Sequence, residues 1–150
     1  MPIDLSGGCQ CGAIRYRATV QAPHAYYCHC RMCQRAFGNV FATFFNVPVA
    51  DVVWERGEPR RYRSSKLAQR GFCGECGTPL SFQYDGAAKI DLSVGSLDDP
   101  RAMRPAFHLC VESRLDAFHV PDGLPEHAIE QSADYQRCLA AAGGVPPDAR

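Results

Sequence analysis

Seven of the nine cysteines in this 150-residue chain fall into three tight clusters: Cys9-Gln10-Cys11, Cys28-His29-Cys30-Arg31-Met32-Cys33 and Cys73-Gly74-Glu75-Cys76. Seven thiolates divide naturally into four and three. Four sulfurs close a tetrahedral zinc site, whereas three leave one position open, as catalytic zinc sites do. The pattern therefore predicts two zinc ions per chain, one structural and one reactive.

The spacings suggest how the sulfurs are shared. In Cys73-Gly74-Glu75-Cys76-Gly77 a two-residue gap lets a tight turn bring both sulfurs to one ion, and the glycines admit positive φ. A redox Cys-x-x-Cys would be expected in a βαβ context, which is absent here. Cys9 and Cys11 are separated by one residue and flanked by Gly7, Gly8 and Gly12, so the backbone can bend to present both sulfurs together. Pairing Cys9 and Cys11 with Cys73 and Cys76 would staple the first strand to the middle of a sheet and contribute folding energy. Cys28, Cys30 and Cys33 then remain as three ligands on a single turn. A division that pairs Cys28 and Cys30 with Cys73 and Cys76 is also compatible with the spacing.

Among the remaining candidates, His29 is the obvious rival ligand. Its neighbours already bind, so an outer or surface role is expected for it. His108 and His119 read as structural histidines, Cys110 as a small buried hydrophobe in an apolar run, and Cys138 as a bystander near the tail.

Composition bounds the function. Apolar residues make up 46% and charged residues 21%, ordinary for a soluble globular domain. Sixteen basic and sixteen acidic residues leave no surplus of positive charge for nucleic acid. No apolar run is long enough to cross a bilayer, and Met1-Pro2-Ile3-Asp4 does not start a basic-then-apolar leader. The expected compartment is the cytoplasm, where thiols stay reduced and clustered cysteines serve metals before disulfides.

Short strands with turns dominate the pattern. Ala13 to Ala18 alternates, with Ile14 and Tyr16 inward and Arg15 and Arg17 toward water. Val40 to Val47 is a continuous apolar run, as in a strand buried on both faces. Further strands are expected at Arg60 to Arg63, Leu67 to Phe72, Leu80 to Tyr84, Lys89 to Val94 and Ala106 to Glu112. Turns are expected at Gly57-Glu58-Pro59 and Asp85-Gly86. Helix is confined to Arg31 to Phe37, a turn after Asp98-Asp99-Pro100, and Asp134 to Ala142 before a Gly-Gly-Val-Pro-Pro tail. The fold class is mainly β, with the cysteine clusters in loops.

Gly8-Cys9-Gln10-Cys11-Gly12, the Cys28-to-Gly38 segment and Phe72-Cys73-Gly74-Glu75-Cys76-Gly77-Thr78-Pro79-Leu80 resemble the glutathione-dependent formaldehyde-activating enzyme family, which also includes centromere protein V. Val94 to Pro100, Pro105-Ala106-Phe107-His108 and Asp122-Gly123-Leu124-Pro125 extend the similarity from about Ser6 to Pro125. The resemblance implies a β-tent of antiparallel strands over residues 1–130, with 131–150 as a C-terminal extension. It implies a structural zinc on Cys9, Cys11, Cys73 and Cys76 and a catalytic zinc on Cys28, Cys30 and Cys33. It also implies a carbon–sulfur lyase that relates glutathione and formaldehyde to S-(hydroxymethyl)glutathione, so a small-molecule thiol and an aldehyde are the expected partners. Many members carry a Trp where this chain has Ala117-Phe118. His29, His108 and Asp98 are candidates by chemistry for a proton shuttle, and Arg35 for an anion clamp. The rival reading is a non-catalytic zinc module with two structural sites.

Overall fold

The computed structural model describes residues 1–147. In chain order the elements are β1 (Ile3–Gly8), β2 (Arg15–Val20), β3 (His24–Cys28), α1 (Arg31–Phe37), β4 (Ala42–Pro48), β5 (Val52–Arg56), β6 (Arg60–Arg63), β7 (Ala68–Phe72), β8 (Pro79–Tyr84), β9 (Lys89–Ser93), β10 (Arg104–Leu109), β11 (Glu126–His127) and α2 (Ala133–Ala141). The fold is mainly β, as the sequence predicts. One sheet has the strand order β1-β2-β5 and the other the order β11-β10-β3-β4-β9-β8-β7-β6.

The alternating segment behaves as read. Ile14, Tyr16, Ala18 and Val20 are buried while Arg17 is exposed and pairs with Glu55. The main core draws on both sheets, with Tyr16, Phe45, Val47, Leu80 and Leu92 fully buried. Because side chains alternate along a strand, β4 serves two cores. Phe45 and Val47 enter the main one, while Ala42 and Phe44 enter a second cluster with Cys28, Cys33 and Cys110. Double-sided burial explains the continuous apolar run in this strand.

Two features depart from expectation. The large sheet is not wholly antiparallel: β10 runs parallel to β3, and β11 parallel to β10. The connection from β3 to β10 passes through most of the sheet, and such a long crossover permits parallel pairing where a hairpin would not. The strand expected to run to Glu112 ends at Leu109, where the chain turns off at Cys110. β1, β3, β5 and the two-residue β11 were not among the predicted strands. β3, β5 and β11 carry too little alternation, and in β1 the alternation of Ile3-Asp4-Leu5-Ser6 stops after four residues at Gly7-Gly8. No helix among the described residues is long and apolar enough to cross a membrane.

Candidate metal centres and an adjoining cavity

Centre one forms where β1 ends and where β7 turns into β8. The sulfurs of Cys9, Cys11, Cys73 and Cys76 all lie within 4.8 Å of one another. Glycine makes both turns. Gly12 and Gly77 have φ of 79°, and each N–H closes back on the carbonyl of the first cysteine of its cluster, Cys9 at 3.2 Å and Cys73 at 2.8 Å. Thr78 links the two turns: its Oγ1 accepts from the Gln10 N–H at 3.0 Å and lies 3.1 Å from Cys76 Sγ. The Thr78 hydroxyl and then its N–H pull the Cys76 thiol down to about 5. The Ile14 N–H donates to Cys9 Sγ at 3.2 Å.

The donor set fits a zinc ion. With Zn–S bonds of the usual length, the sulfurs of a tetrahedron stand about 3.8 Å apart. Here Cys9–Cys11 is 3.6 Å and Cys11–Cys73 is 3.8 Å. This is the grouping read from the spacing, although the staple reaches β7, one strand from the end of its sheet, and not the middle.

Centre two is buried. Cys28 closes β3, Cys30 caps α1 by accepting the Cys33 N–H at 3.2 Å, and Cys33 lies within the helix. The sulfurs of Cys28, Cys30 and Cys110 all lie within 4.8 Å of one another, with Cys28 and Cys110 at 4.0 Å. Cys33 is outside that triplet but interacts with Cys28 and Cys30. Sulfur neighbours divide the thiols electrostatically. Cys30 is pushed down by Cys110, Cys28 and Cys33, while Cys28 is pushed up first by Cys110 and Cys33 first by Cys28. A buried cluster with one favoured thiolate takes further negative charge only when a cation enters, so metal binding here releases protons.

Arg70 lies beneath the cluster. It is 4% exposed, stacks its guanidinium 4.9 Å from the Phe82 ring centroid, and donates through Nη2 to Cys33 Sγ at 3.3 Å. Its Nε and Nη1 are buried and have no partner among the described residues. A buried cation without a counter-anion is costly, and the thiolates of centre two are what this one faces.

Beside the Cys28–Cys33 turn is a cavity of about 370 Å³ lined by Tyr27, His29, Phe41, His108, Arg114 and Phe118, among others. His29 is 3% exposed, so it is not a surface residue. Its Nε2 lies 2.7 Å from His108 Nδ1, and His108 Nε2 lies 2.9 Å from Asp122 Oδ2. A carboxylate accepts only, so His108 donates from Nε2 and presents Nδ1 as acceptor, and His29 donates to it from Nε2. The His29 pKa is lowered to about 4, chiefly by burial and then by His108 and Arg114. His119, T-shaped against His108 at 5.4 Å, completes the wall. Arg114 pairs with Glu126 at 2.6 Å and with Asp116.

The other sequence candidates lie elsewhere. Asp98 pairs with Arg15 and Ser6 beside the small sheet, and Arg35 is exposed on α1; neither lines this cavity. Cys138 lies in α2. Cys110, Arg70, Asp122 and Arg114 were not singled out as site residues. Asp122 alone had a signal, in the Asp122-to-Pro125 segment.

The chain is similar to known proteins in sequence and in fold. The sequence profile described as glutathione-dependent formaldehyde-activating enzyme matches residues 4–113, which include all the cysteines of both centres. A protein of Schizosaccharomyces pombe named as an uncharacterized lyase is 35% identical over 81 residues, covering 54% of this chain and 58% of that relative. A crystal structure of a Rhodobacter sphaeroides protein matches with a TM-score of 0.53 at 24% identity, over 67% of this chain and 98% of the other, a likeness of fold. With most of the chain matched and both centres inside the match, the protein belongs to the glutathione-dependent formaldehyde-activating enzyme family.

Proposed function

We propose that this protein is a zinc-dependent carbon–sulfur lyase acting on thiol–aldehyde adducts, of the type that joins glutathione and formaldehyde as S-(hydroxymethyl)glutathione. The observation that carries this reading is the family match across both centres, together with a histidine-lined cavity beside the Cys28–Cys33 turn. The relative named a lyase supports the reaction class.

Cys9, Cys11, Cys73 and Cys76 would hold the structural ion, and Cys28, Cys30 and Cys33 the ion at the reaction site. Zinc bound there supplies a Lewis acid that favours thiolate and polarises an aldehyde oxygen. The chain supplies the rest. Asp122 holds the His108 proton on Nε2, which in turn fixes the His29 proton on Nε2 and leaves the His29 Nδ1 lone pair as acceptor for a hydroxyl proton of the adduct. Arg114 brings a guanidinium to the cavity wall, suited to a substrate carboxylate. Phe41 and Phe118 give the cavity an apolar side. Residues 1–130 would form the functional unit and 131–150 an extension, with the cytoplasm as the site of action.

One observation favours a second reading. Cys110 stands against Cys28 and Cys30, and a fourth thiolate that no substrate displaces would close centre two as a structural site in a non-catalytic zinc module. The test is to incubate zinc-loaded protein with a series of aldehydes, with and without glutathione, and follow adduct formation and breakdown. Glutathione-dependent turnover of at least one aldehyde is expected. No turnover with glutathione or any other thiol would leave the module.

A further inference from the structure

Cys110 is placed with more care than a buried hydrophobe requires. β10 and β3 are parallel, so they finish on the same side, with Leu109 in register with Cys28. The chain leaves β10 at Cys110 with φ 60° and ψ 43°, and this is the only non-glycine residue with positive φ among the described residues. A side chain in that left-handed conformation costs about 1–2 kcal/mol. Such strain persists where the surroundings demand it and clusters at functional sites. In this conformation the Cys110 sulfur meets those of Cys28 and Cys30.

The charge around the cluster accommodates the same sulfur. Four thiolates around a divalent ion carry two negative charges and three carry one. The buried Arg70 guanidinium donates to Cys33 and has two further buried nitrogens without partners. With the single positive charge of Arg70, a four-sulfur centre keeps one net negative charge and a three-sulfur centre none, so the guanidinium offsets part of the charge a fourth thiolate adds without itself requiring one. The Cys28–Cys110 separation of 4.0 Å is close to the edge of about 3.8 Å expected for a zinc–sulfur tetrahedron, and Cys33, outside the triplet of sulfurs within 4.8 Å, is the ligand with furthest to close on an ion.

We propose that Cys110 is the fourth sulfur ligand of the second centre, so that the resting ion is held by Cys28, Cys30, Cys33 and Cys110. The proposal rests on a metal ion at this centre and not on the lyase reaction. Its test is cadmium NMR and chelator competition on the full chain, comparing wild type with Cys110→Gly and Cys110→Ser. Glycine suits the left-handed backbone, so its effect reports the lost sulfur and not a disturbed turn. Two cadmium resonances, both in the four-sulfur range, are expected for wild type. In each variant one resonance should move out of that range, and affinity for one of the two ions should fall about tenfold or more. Serine, which replaces one small side chain by another at the same left-handed backbone, should match glycine.

Unchanged resonances and affinity in Cys110→Gly would overturn the proposal, as would a wild-type chain that binds one ion. Turnover is read separately. Shifted resonances without turnover in wild type would uphold the fourth ligand and remove the lyase reading.

Discussion

The two cysteine centres use the same donor atom and are built in opposite ways. Centre one sits on glycine turns at the protein surface, with Cys11 and Cys76 exposed, and ties the small sheet to the β7–β8 turn. Its ligands come in two short pairs, each held by its own backbone hydrogen bonds. Centre two lies inside the second hydrophobic cluster and takes sulfurs from the ends of two parallel strands and the start of a helix. It has a buried guanidinium on one side and a histidine-lined cavity near its turn. The surface centre has what a staple needs. The buried one has a buried counter-charge and an ordered histidine pair beside it, which chemistry needs.

The largest effect should come from breaking the staple. A structural zinc site contributes about 10 kcal/mol or more in small domains, comparable with the whole stability of a domain. Cys73→Ala should therefore abolish the cooperative melt followed by circular dichroism. A melting temperature within about 4 °C of wild type would show that centre one does not hold the sheets together.

Removing the counter-charge at centre two comes next. Arg70→Met should cost about 3 kcal/mol in the zinc-loaded protein, because the thiolates lose a buried partner. In a Cys33→Ala background the same change should cost much less, and a urea-unfolding cycle of the four proteins measures the difference. Equal costs would mean that Arg70 acts through packing on Phe82 and not through the sulfurs.

A smaller loss, confined to turnover, is expected for Asp122→Asn. The amide can donate to His108 Nε2, which reverses the proton order through His29. Turnover should fall about tenfold or more with the melting temperature unchanged. Full activity would remove the histidine pair from the reaction.

The smallest effect lies at a half-exposed ion pair that supplies no ligand to either centre. Arg15 and then Ser6 hold the Asp98 carboxyl down at about 2, so this group stabilises the fold above the ordinary carboxylate range and the benefit fades as pH falls from about 4 toward 2. The pair is half exposed and screened, so Asp98→Asn should cost at most about 0.5 kcal/mol at neutral pH. It should cost less as pH falls through about 2 and nothing well below it. A loss independent of pH in acid unfolding would contradict the charge account.

The contrast between the centres also marks what was legible in the sequence. Centre one could be read because its ligands come as pairs with glycines beside them, and spacing alone says that a turn can present both. The helix at Arg31–Phe37 was equally plain, its end marked by Gly38 in the left-handed region. Cys110 was not legible. It lies 82 residues from Cys28 and meets it only because β10 runs parallel to β3, a pairing that local pattern does not encode. Between Leu109 and Val111 it reads as one more apolar residue. Arg70 was hidden differently: charged residues in strands usually face water, and its burial depends on the sulfurs and the Phe82 ring that only the fold assembles. His29 was expected in an outer or surface role because its neighbours are ligands, and of the two the surface role fails, since the cavity wall and His108 enclose it.

The central claim is that one centre holds the fold and the other performs chemistry. It is tested most directly by measuring zinc content, melting and turnover on a single preparation of Cys30→Ser. The account predicts a folded protein that keeps the zinc of centre one and has no measurable turnover of the adduct of glutathione and formaldehyde. Undiminished turnover in that protein, or loss of its cooperative fold, would contradict it.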